Sequence, residues 1–349
     1  MSANESENWM RTALEAARKG WGRCVPNPMV GAVIVRDGVM LASGYHQRAG
    51  EGHSEVNALA NLPAGTNARG ATVYVTLEPC STYGRTPPCC DALIKAGVAK
   101  VVIGCLDANP SHAGAAVARL TEAGIQVEHG ILEDECRRLN EHFFWWITRK
   151  RPWVILKMGM TLDGRIALPD GTSKWITGSA SRMRVQELRK LADMIMVGGR
   201  TALCDNPGLK VTEEGWRRQP IPAIWTSKEV PAELRLMQES GERPLITARP
   251  STREEWLTHL ETWCRDLGVA VLLLEGGGEL AANALQCGIV NQIQFFIAPK
   301  ILCGRDSAPV VGGAAPAMLS DALRLKDVRT EMLDGDLLYT AYPENPDTF

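Results

Sequence analysis

His53, Glu55, Cys80 and Cys89 are the residues of this 349-residue chain whose types and spacing can do chemistry. His53-Ser54-Glu55 is followed by Pro79-Cys80 and then by Pro88-Cys89. One imidazole and two thiolates form a Cys2His donor set, and three protein ligands leave the fourth position of a tetrahedral zinc open for water, as catalysis requires. Zinc lowers the pKa of such a water towards neutrality, and a neighbouring carboxylate then moves the proton to substrate and leaving group. Glu55 is the candidate for that shuttle, being the one acid of the group that is not a ligand. Thiolate donors favour zinc over hard cations. Cys90 is turned by about 100° from Cys89 on a helix and is expected to pack in the core.

Several elements must position these side chains. A β-rich apolar run over residues 71–77 leads to Cys80, and residues 53–62 and 89–96 read as amphipathic helices that open at His53 and Cys89. A helix start favours negative charge and so holds a thiolate deprotonated. Around them, residues 9–19 read as a helix, 30–35 and 39–45 as a hairpin, 101–105 and 125–129 as strands flanking a helix at 113–123, and 133–146 as a last helix. Such alternation predicts a mixed sheet covered by helices. A single core stops growing near about 250–300 residues, so two domains are expected, 1–148 and 149–349, divided near Arg149-Lys150-Arg151-Pro152. In the second, strands are expected at 154–158, 194–198, 223–226, 245–247, 269–274 and 292–298, with helices at 179–192, 252–264 and 279–287.

Composition narrows the function classes. A formal charge of −2 gives no electrostatic footprint for a phosphate backbone, so nucleic acid is not expected as a partner and a small molecule is. The first residues lack a basic start and an apolar core, so no signal peptide is expected, and no run reaches the roughly 20 apolar residues of a membrane span. Ten cysteines without such a signal fit a reducing cytoplasm, and the eight outside the candidate centre are expected to be buried or inert.

The second half has one local signal of its own. A buried strand at 271–275 runs into Gly276-Gly277-Gly278 and then a helix, so backbone N–H groups and the helix dipole can cradle a phosphate. Gly276, Gly278 and Ala281 fit the loose dinucleotide fingerprint. That fingerprint normally opens a domain and is followed by an acid about 20 residues on, where Gln294 and its neighbours offer none. A plain tight strand-to-helix turn stands as an equal reading.

His-x-Glu followed by Pro-Cys-x-x-Cys is the signature of zinc deaminases, but here eight residues separate the cysteines. The longer form, PCSTYGRTPPC over 79–89, resembles the motif of the bifunctional riboflavin-biosynthesis deaminase/reductase family, and PNPMVGAVIV over 26–35 resembles that family's first strand. Lys157-Met158-Gly159, Leu162 to Arg165, Ser173 to Thr177 and Asp205-Asn206-Pro207 look like landmarks of its reductase half, so the resemblance covers nearly the whole chain. It implies an α/β fold, with an N-terminal cytidine-deaminase-like three-layer domain and a C-terminal dihydrofolate-reductase-like domain. It implies zinc on His53, Cys80 and Cys89, catalysis by Glu55, and Asn27 on the pyrimidine.

The same resemblance places NADPH against Gly159, Trp175, Thr201, Asp205, Ser227 and the stretch Gly277, Gly278, Glu279, Leu280, Ala281, Ala282 and Asn283. Lys157, Ser173, Arg189, Leu209 and Glu275 then face a ribosyl phosphate, with Lys157 and Asp205 polarising the sugar. A guanidinium grips phosphate through a bidentate fork, although Arg189 read without the resemblance is a solvated helix charge. The implied reactions are hydrolytic deamination of 2,5-diamino-6-ribosylamino-4(3H)-pyrimidinone 5′-phosphate and NADPH-dependent reduction of its ribosyl group to ribityl. Thr212 departs from the pattern, standing where the family commonly has an arginine, and it cannot neutralise a phosphate. Two other readings stand beside this one: a nucleoside, base or transfer-RNA deaminase with a non-catalytic C-terminal binding domain, and a non-enzymatic reading in which the second domain has decayed into a binding or assembly module. The sequence is compatible with a homo-oligomer.

Overall fold

The computed structural model describes residues 3–83, 87–109, 113–239 and 246–344. The chain forms two compact units, Met1–Arg149 and Lys150–Phe349.

The first unit runs α1 (Ala3–Arg18), β1 (Gly31–Arg36), β2 (Val39–Tyr45), α2 (Ser54–Ala60), β3 (Thr72–Leu77), α3 (Cys89–Ala96), β4 (Lys100–Cys105), α4 (Ala115–Glu122), β5 (Gln126–His129), α5 (Glu133–Leu139) and α6 (Glu141–Arg149). Its sheet is ordered β2-β1-β3-β4-β5; β1 pairs antiparallel with β2 and β3, and β3, β4 and β5 are parallel. Asp37 and Gly38, at φ 55° and 74°, form the two-residue turn between β1 and β2, which needs positive φ at both positions.

Side chains alternate across a strand, and here both faces are buried. Ala32, Ile34, Val73, Val75, Val101 and Ile103 meet Ala58, Cys90, Leu93, Ala116 and Leu120 on one side. Val33, Val35, Tyr74 and Val102 meet Met10, Leu14, Phe143 and Phe144 on the other. Helix, sheet and helix therefore form three layers. Gly44 lets α2 lie close on β2, since a Cβ there would stand 2.2 Å from the backbone nitrogen of Ala58.

The expected single helix over 133–146 is two helices broken at Asn140. The buried Asn140 amide accepts from the Met29 N–H and donates to the Met29 carbonyl, both at 2.8 Å. That pair holds the 26–30 segment against the break, which no local pattern encodes. The first helix begins six residues before its expected start at Trp9.

The second unit runs β6 (Trp153–Thr161), β7 (Arg165–Ala167), α7 (Ser179–Leu191), β8 (Met194–Gly198), α8 (Gly199–Asp205), β9 (Ile221–Trp225), α9 (Arg235–Glu239), β10 (Ile246–Ala248), α10 (Arg253–Leu267), β11 (Val271–Glu275), α11 (Gly278–Gln286), β12 (Gln292–Ala298), β13 (Ala308–Pro309), β14 (Leu325–Leu333) and β15 (Asp336–Pro343). The large sheet is ordered β10-β9-β8-β11-β6-β12-β15-β14. Its first six strands are parallel, and β15 runs antiparallel to both neighbours. Parallel strands bury both faces and read as apolar runs; Met194, Met196, Leu272, Leu274, Val154 and Leu156 form that core with Trp256, Leu260 and Trp263 of α10.

The closing hairpin, β14 and β15, was not anticipated, although Asp334 and Gly335 turn it at φ 52° and 94°. Of the strand expected at 245–247, Leu245 lies outside the described residues. Of the eight cysteines outside the candidate centre, Cys24, Cys90, Cys105 and Cys136 are buried, and Cys204 and Cys303 are exposed. Among the described residues no helix is long and apolar enough to cross a membrane.

Candidate active sites

In the first unit, His53 caps the start of α2, Cys80 follows β3, and Cys89 is the first residue of α3 behind Pro88. His53 Nδ1 lies 3.2 Å from Cys89 Sγ and 3.4 Å from Cys80 Sγ, and the two sulfurs are 3.3 Å apart. Bonds of about 2.3 Å to sulfur and about 2.0 Å to nitrogen put tetrahedral ligand atoms roughly 3.5–3.8 Å apart, so this triangle needs only a slight expansion to hold zinc. Among the described residues it is the one such group of three. Cys90 is fully buried in the core, as expected. The 84–86 part of the long loop lies outside the described residues.

Electrostatics suit the donors to a metal. The Cys80 thiol is lowered to about 4, first by its bond with Cys89 and then, against burial, by His53 and the Cys89 N–H at 3.2 Å. The Cys89 thiol is pushed up, first by its contact with Cys80 and then by burial. A cation held by His53, Cys80 and Cys89 would displace the thiol proton, as coordination deprotonates a thiol. Glu55 is buried, and burial pushes its carboxyl up against the lowering by backbone N–H, His53 and Ser54, whose hydroxyl donates to Oε2 at 2.8 Å. A carboxyl raised in this way is poised to take and return a proton.

Sequence reasoning missed His46. Its ring meets His53 edge-on at 5.3 Å, Nδ1 lies 3.2 Å from the Gly52 carbonyl, and Nε2 lies 3.1 Å from Asn27 Nδ2. A carbonyl needs a donor and an amide NH2 needs an acceptor, so both contacts are met by the neutral Nδ1–H tautomer. Burial, with His53 nearby, lowers its pKa and agrees. Asn27 is thus held beside the metal ligands by His46 and by the Met29–Asn140 pair next to it.

In the second unit the residues fall into three groups. Lys157 and Glu275 are register partners on β6 and β11, with Nζ 3.9 Å from Oε2. Arg189 of α7 donates from Nε and Nη2 to the two Glu275 oxygens at 2.7 and 2.8 Å, and from Nη1 to the Lys210 carbonyl at 3.0 Å. The fork expected on phosphate is therefore given to Glu275, and the guanidinium is not a solvated helix charge. Burial pushes Glu275 up, but Arg189 and Lys157 outweigh it and hold the carboxyl down. Burial lowers Lys157, with Glu275 opposing and Arg189 assisting.

The second group joins Ser173 to Asp205 by a 2.6 Å hydrogen bond, with Lys174 Nζ on the Asp205 carbonyl at 2.7 Å. Trp175 is exposed beneath the Arg182 guanidinium. Leu209 is buried at φ 43°, so its side chain faces the core. Thr212 is exposed and its N–H donates to Gln186.

The third group is the glycine turn. Gly276 and Gly277, at φ 86° and 93°, lie against Thr201, and Gly277 lies against Gly198. Gly159 and Ser227 also stand towards the carboxyl ends of parallel strands, or just beyond them, the edge where open α/β sheets bind ligands. Leu280, Ala281 and Ala282 are buried, while Asn283 accepts from Trp256 Nε1 at 2.7 Å and donates to the Ser251 carbonyl. The structure thus brings Gly277 to that edge, whereas Leu280, Ala281 and Ala282 spend their side chains on packing and Asn283 spends its amide on hydrogen bonds. Glu279 accepts from the Gly313 N–H at 3.4 Å.

Packing accounts for Gly278, as the tight-turn reading requires, since a Cβ there would stand 2.5 Å from the Pro309 carbonyl oxygen. Gly278→Ala is expected to cost about 1–3 kcal/mol, as overpacking does, read as a lower urea midpoint at unchanged slope. An unchanged midpoint would refute the close approach.

Residues 3–105 match the cytidine and deoxycytidylate deaminase zinc-binding region, and residues 152–339 match the RibD C-terminal domain. The riboflavin biosynthesis protein RibD of Actinobacillus pleuropneumoniae is 40% identical over 95% of this chain and 93% of its own. The chain belongs to the RibD family. RibD of Escherichia coli is 40% identical over 93% of this chain and 96% of its own. Among solved structures, Acinetobacter baumannii RibD matches with a TM-score of 0.86 at 36% identity, covering 99% of this chain and all, 100%, of that one. A Thermotoga maritima diaminohydroxyphosphoribosylaminopyrimidine deaminase/5-amino-6-(5-phosphoribosylamino)uracil reductase matches at 0.84 and 34% identity, over 98% of this chain and 99% of its own. RibD likeness over both units supports the bifunctional reading over a nucleoside, base or transfer-RNA deaminase with a non-catalytic C-terminal binding domain.

Proposed function

We propose that this RibD-family chain carries two consecutive activities of riboflavin biosynthesis. The first unit deaminates 2,5-diamino-6-ribosylamino-4(3H)-pyrimidinone 5′-phosphate hydrolytically, and the second reduces the ribosyl group to ribityl with NADPH. The observation that carries the reading is the His53, Cys80 and Cys89 triangle beside a buried acid, in a chain whose RibD likeness spans both units.

Zinc on that triangle supplies a water acidic enough to lose its proton near neutrality. Glu55 takes that proton and returns it to the ring and the departing ammonia, and Asn27, oriented by His46, hydrogen-bonds the pyrimidine. In the second unit NADPH supplies the hydride, so the protein's task is placement and polarisation. Gly159, Trp175, Thr201, Asp205, Ser227 and the Gly277 turn form the cofactor side. Lys157, steadied by Glu275 and Arg189, and Ser173, joined to Asp205, form the sugar side.

Mass spectrometry of the pyrimidinone ribosyl phosphate incubated with purified protein tests both halves. Exchange of NH for O is expected with or without NADPH, and gain of two hydrogen atoms only with it. Stripping the metal with a chelator is expected to silence the first change and to spare reduction of the deaminated compound. No change of mass in either tube would refute the substrate assignment. Reduction that fails with the chelator would refute the separation of the two chemistries.

A further inference from the structure

The two loops that deliver the zinc thiolates are tied together by an element that supplies no ligand. Helix α4 bonds to both. Arg119 Nη1 donates to the Ser81 carbonyl at 2.6 Å, one residue after Cys80, and Nη2 donates to Asp91 Oδ1 at 2.5 Å, two residues after Cys89. At the other end of α4, the buried Glu78 carboxylate, two residues before Cys80, accepts the N–H groups of Gly114 and Ala116 at 3.0 Å and of Asp107 at 3.1 Å. The first turn of a helix presents unsatisfied donors and partial positive charge, so this carboxylate closes that end. Cys80 is thus flanked on both sides by residues bonded to α4, and the same guanidinium reaches the helix that begins with Cys89.

We propose that α4 is a clamp on the metal-ligand loops and that Arg119 is a positioning residue that sets the spacing between Cys80 and Cys89. This rests on zinc occupying that triangle. A planar guanidinium spans two acceptors in a fixed fork, whereas a lysine ammonium is a point charge on a flexible stem. Metal sites owe part of their affinity to such outer partners, whose loss costs roughly 10–100-fold.

Zinc transfer from the full-length holoenzyme to an excess of a chromogenic chelator measures this directly. Arg119→Gln is expected to release zinc at least tenfold faster than the unaltered chain, with Arg119→Lys in between. Asp91→Asn removes the same bridge from its other side, so it should also speed release and add little to Arg119→Gln. In cobalt-substituted protein the thiolate charge-transfer band should shift in Arg119→Gln. Thr121→Ala, which loses only a bond to the Val117 carbonyl on the same helix, should release zinc at the original rate. Should Arg119→Gln fail to fold, Asp91→Asn and Arg119→Lys decide. Release at the original rate in those variants overturns the clamp, and so does equally fast release from Thr121→Ala, which would mean general loosening of α4. An unaltered chain that holds no zinc would instead overturn the functional reading itself.

Discussion

Glu55→Gln is expected to stop deamination while leaving zinc bound and reduction intact. Glutamine keeps the shape of the side chain and still offers an oxygen to the Ser54 hydroxyl that donates at 2.8 Å, so the buried site need not collapse. What it loses is the ability to hold and return a proton. General acid–base catalysis is worth roughly 10²–10⁴-fold, and the drop should appear in kcat for ammonia release rather than in KM. Two controls separate this from loss of fold: zinc content equal to that of the unaltered chain, and an unchanged rate on the deaminated compound with NADPH. A rate within tenfold of the original would remove Glu55 from the proton path. Loss of zinc would make it a support of the ligands.

The zinc centre was legible because its donors are rare residue types held by prolines in short segments with strong local signals. The helix expected at 89–96 is α3, Cys89–Ala96, and the apolar run before Pro79 is β3. The parallel strand β8 matched its expected bounds of 194–198 for a similar reason, being an apolar run without polar interruption, and β12 matched 292–298 through its apolar stretch Phe295-Phe296-Ile297 although Gln292 and Gln294 stand at its start. The closing hairpin was illegible because both faces of β14 are largely exposed, so Lys326, Asp327, Arg329 and Glu331 erase the alternation that marks a half-buried strand. The Asp334-Gly335 pair remained as its one local signal.

Long-range partnerships account for the remaining differences. Asn140 breaks a helix to hold Met29, 111 residues away, and His46 matters only through Asn27, Gly52 and His53. Arg189 read as a phosphate fork or a solvated charge, and the structure shows a largely buried guanidinium whose fork goes to Glu275, 86 residues on. Nothing within a turn of Arg189 foretells that. Asp336 at the start of β15 makes the same point, accepting from the Gly178 N–H at 2.7 Å and the Ser181 hydroxyl at 2.6 Å. It thereby anchors the first turn of the helix that carries Arg189.

Lys157, Glu275 and Arg189 set two cations on one carboxylate, with side chains 18%, 7% and 16% exposed. Removing either end of that arrangement should have opposite consequences. Glu275→Gln leaves two cations facing each other without an anion, and breaking a buried pair from one side costs about 3–5 kcal/mol. Lys157→Met leaves Glu275 bound by both nitrogens of Arg189, a neutral pair, so unfolding of the second unit should move little. Its reduction rate should nevertheless fall on the order of 10²–10³-fold, the scale of losing one aimed electrostatic contact. The pH dependence separates the two further. Burial already lowers Lys157 from its ordinary 10.5 and Glu275 opposes that shift. If the charged ammonium polarises the sugar, reduction fails as pH rises through this lowered value, and whatever Glu275→Gln protein remains folded should fail at a lower pH still. Denaturant unfolding and rates across pH on the full-length variants measure both effects. Equal stability of Glu275→Gln and the unaltered chain would show that the carboxylate is not what holds the cations together. A Lys157→Met enzyme that reduces at the original rate would move the polarising role to Asp205 and Ser173.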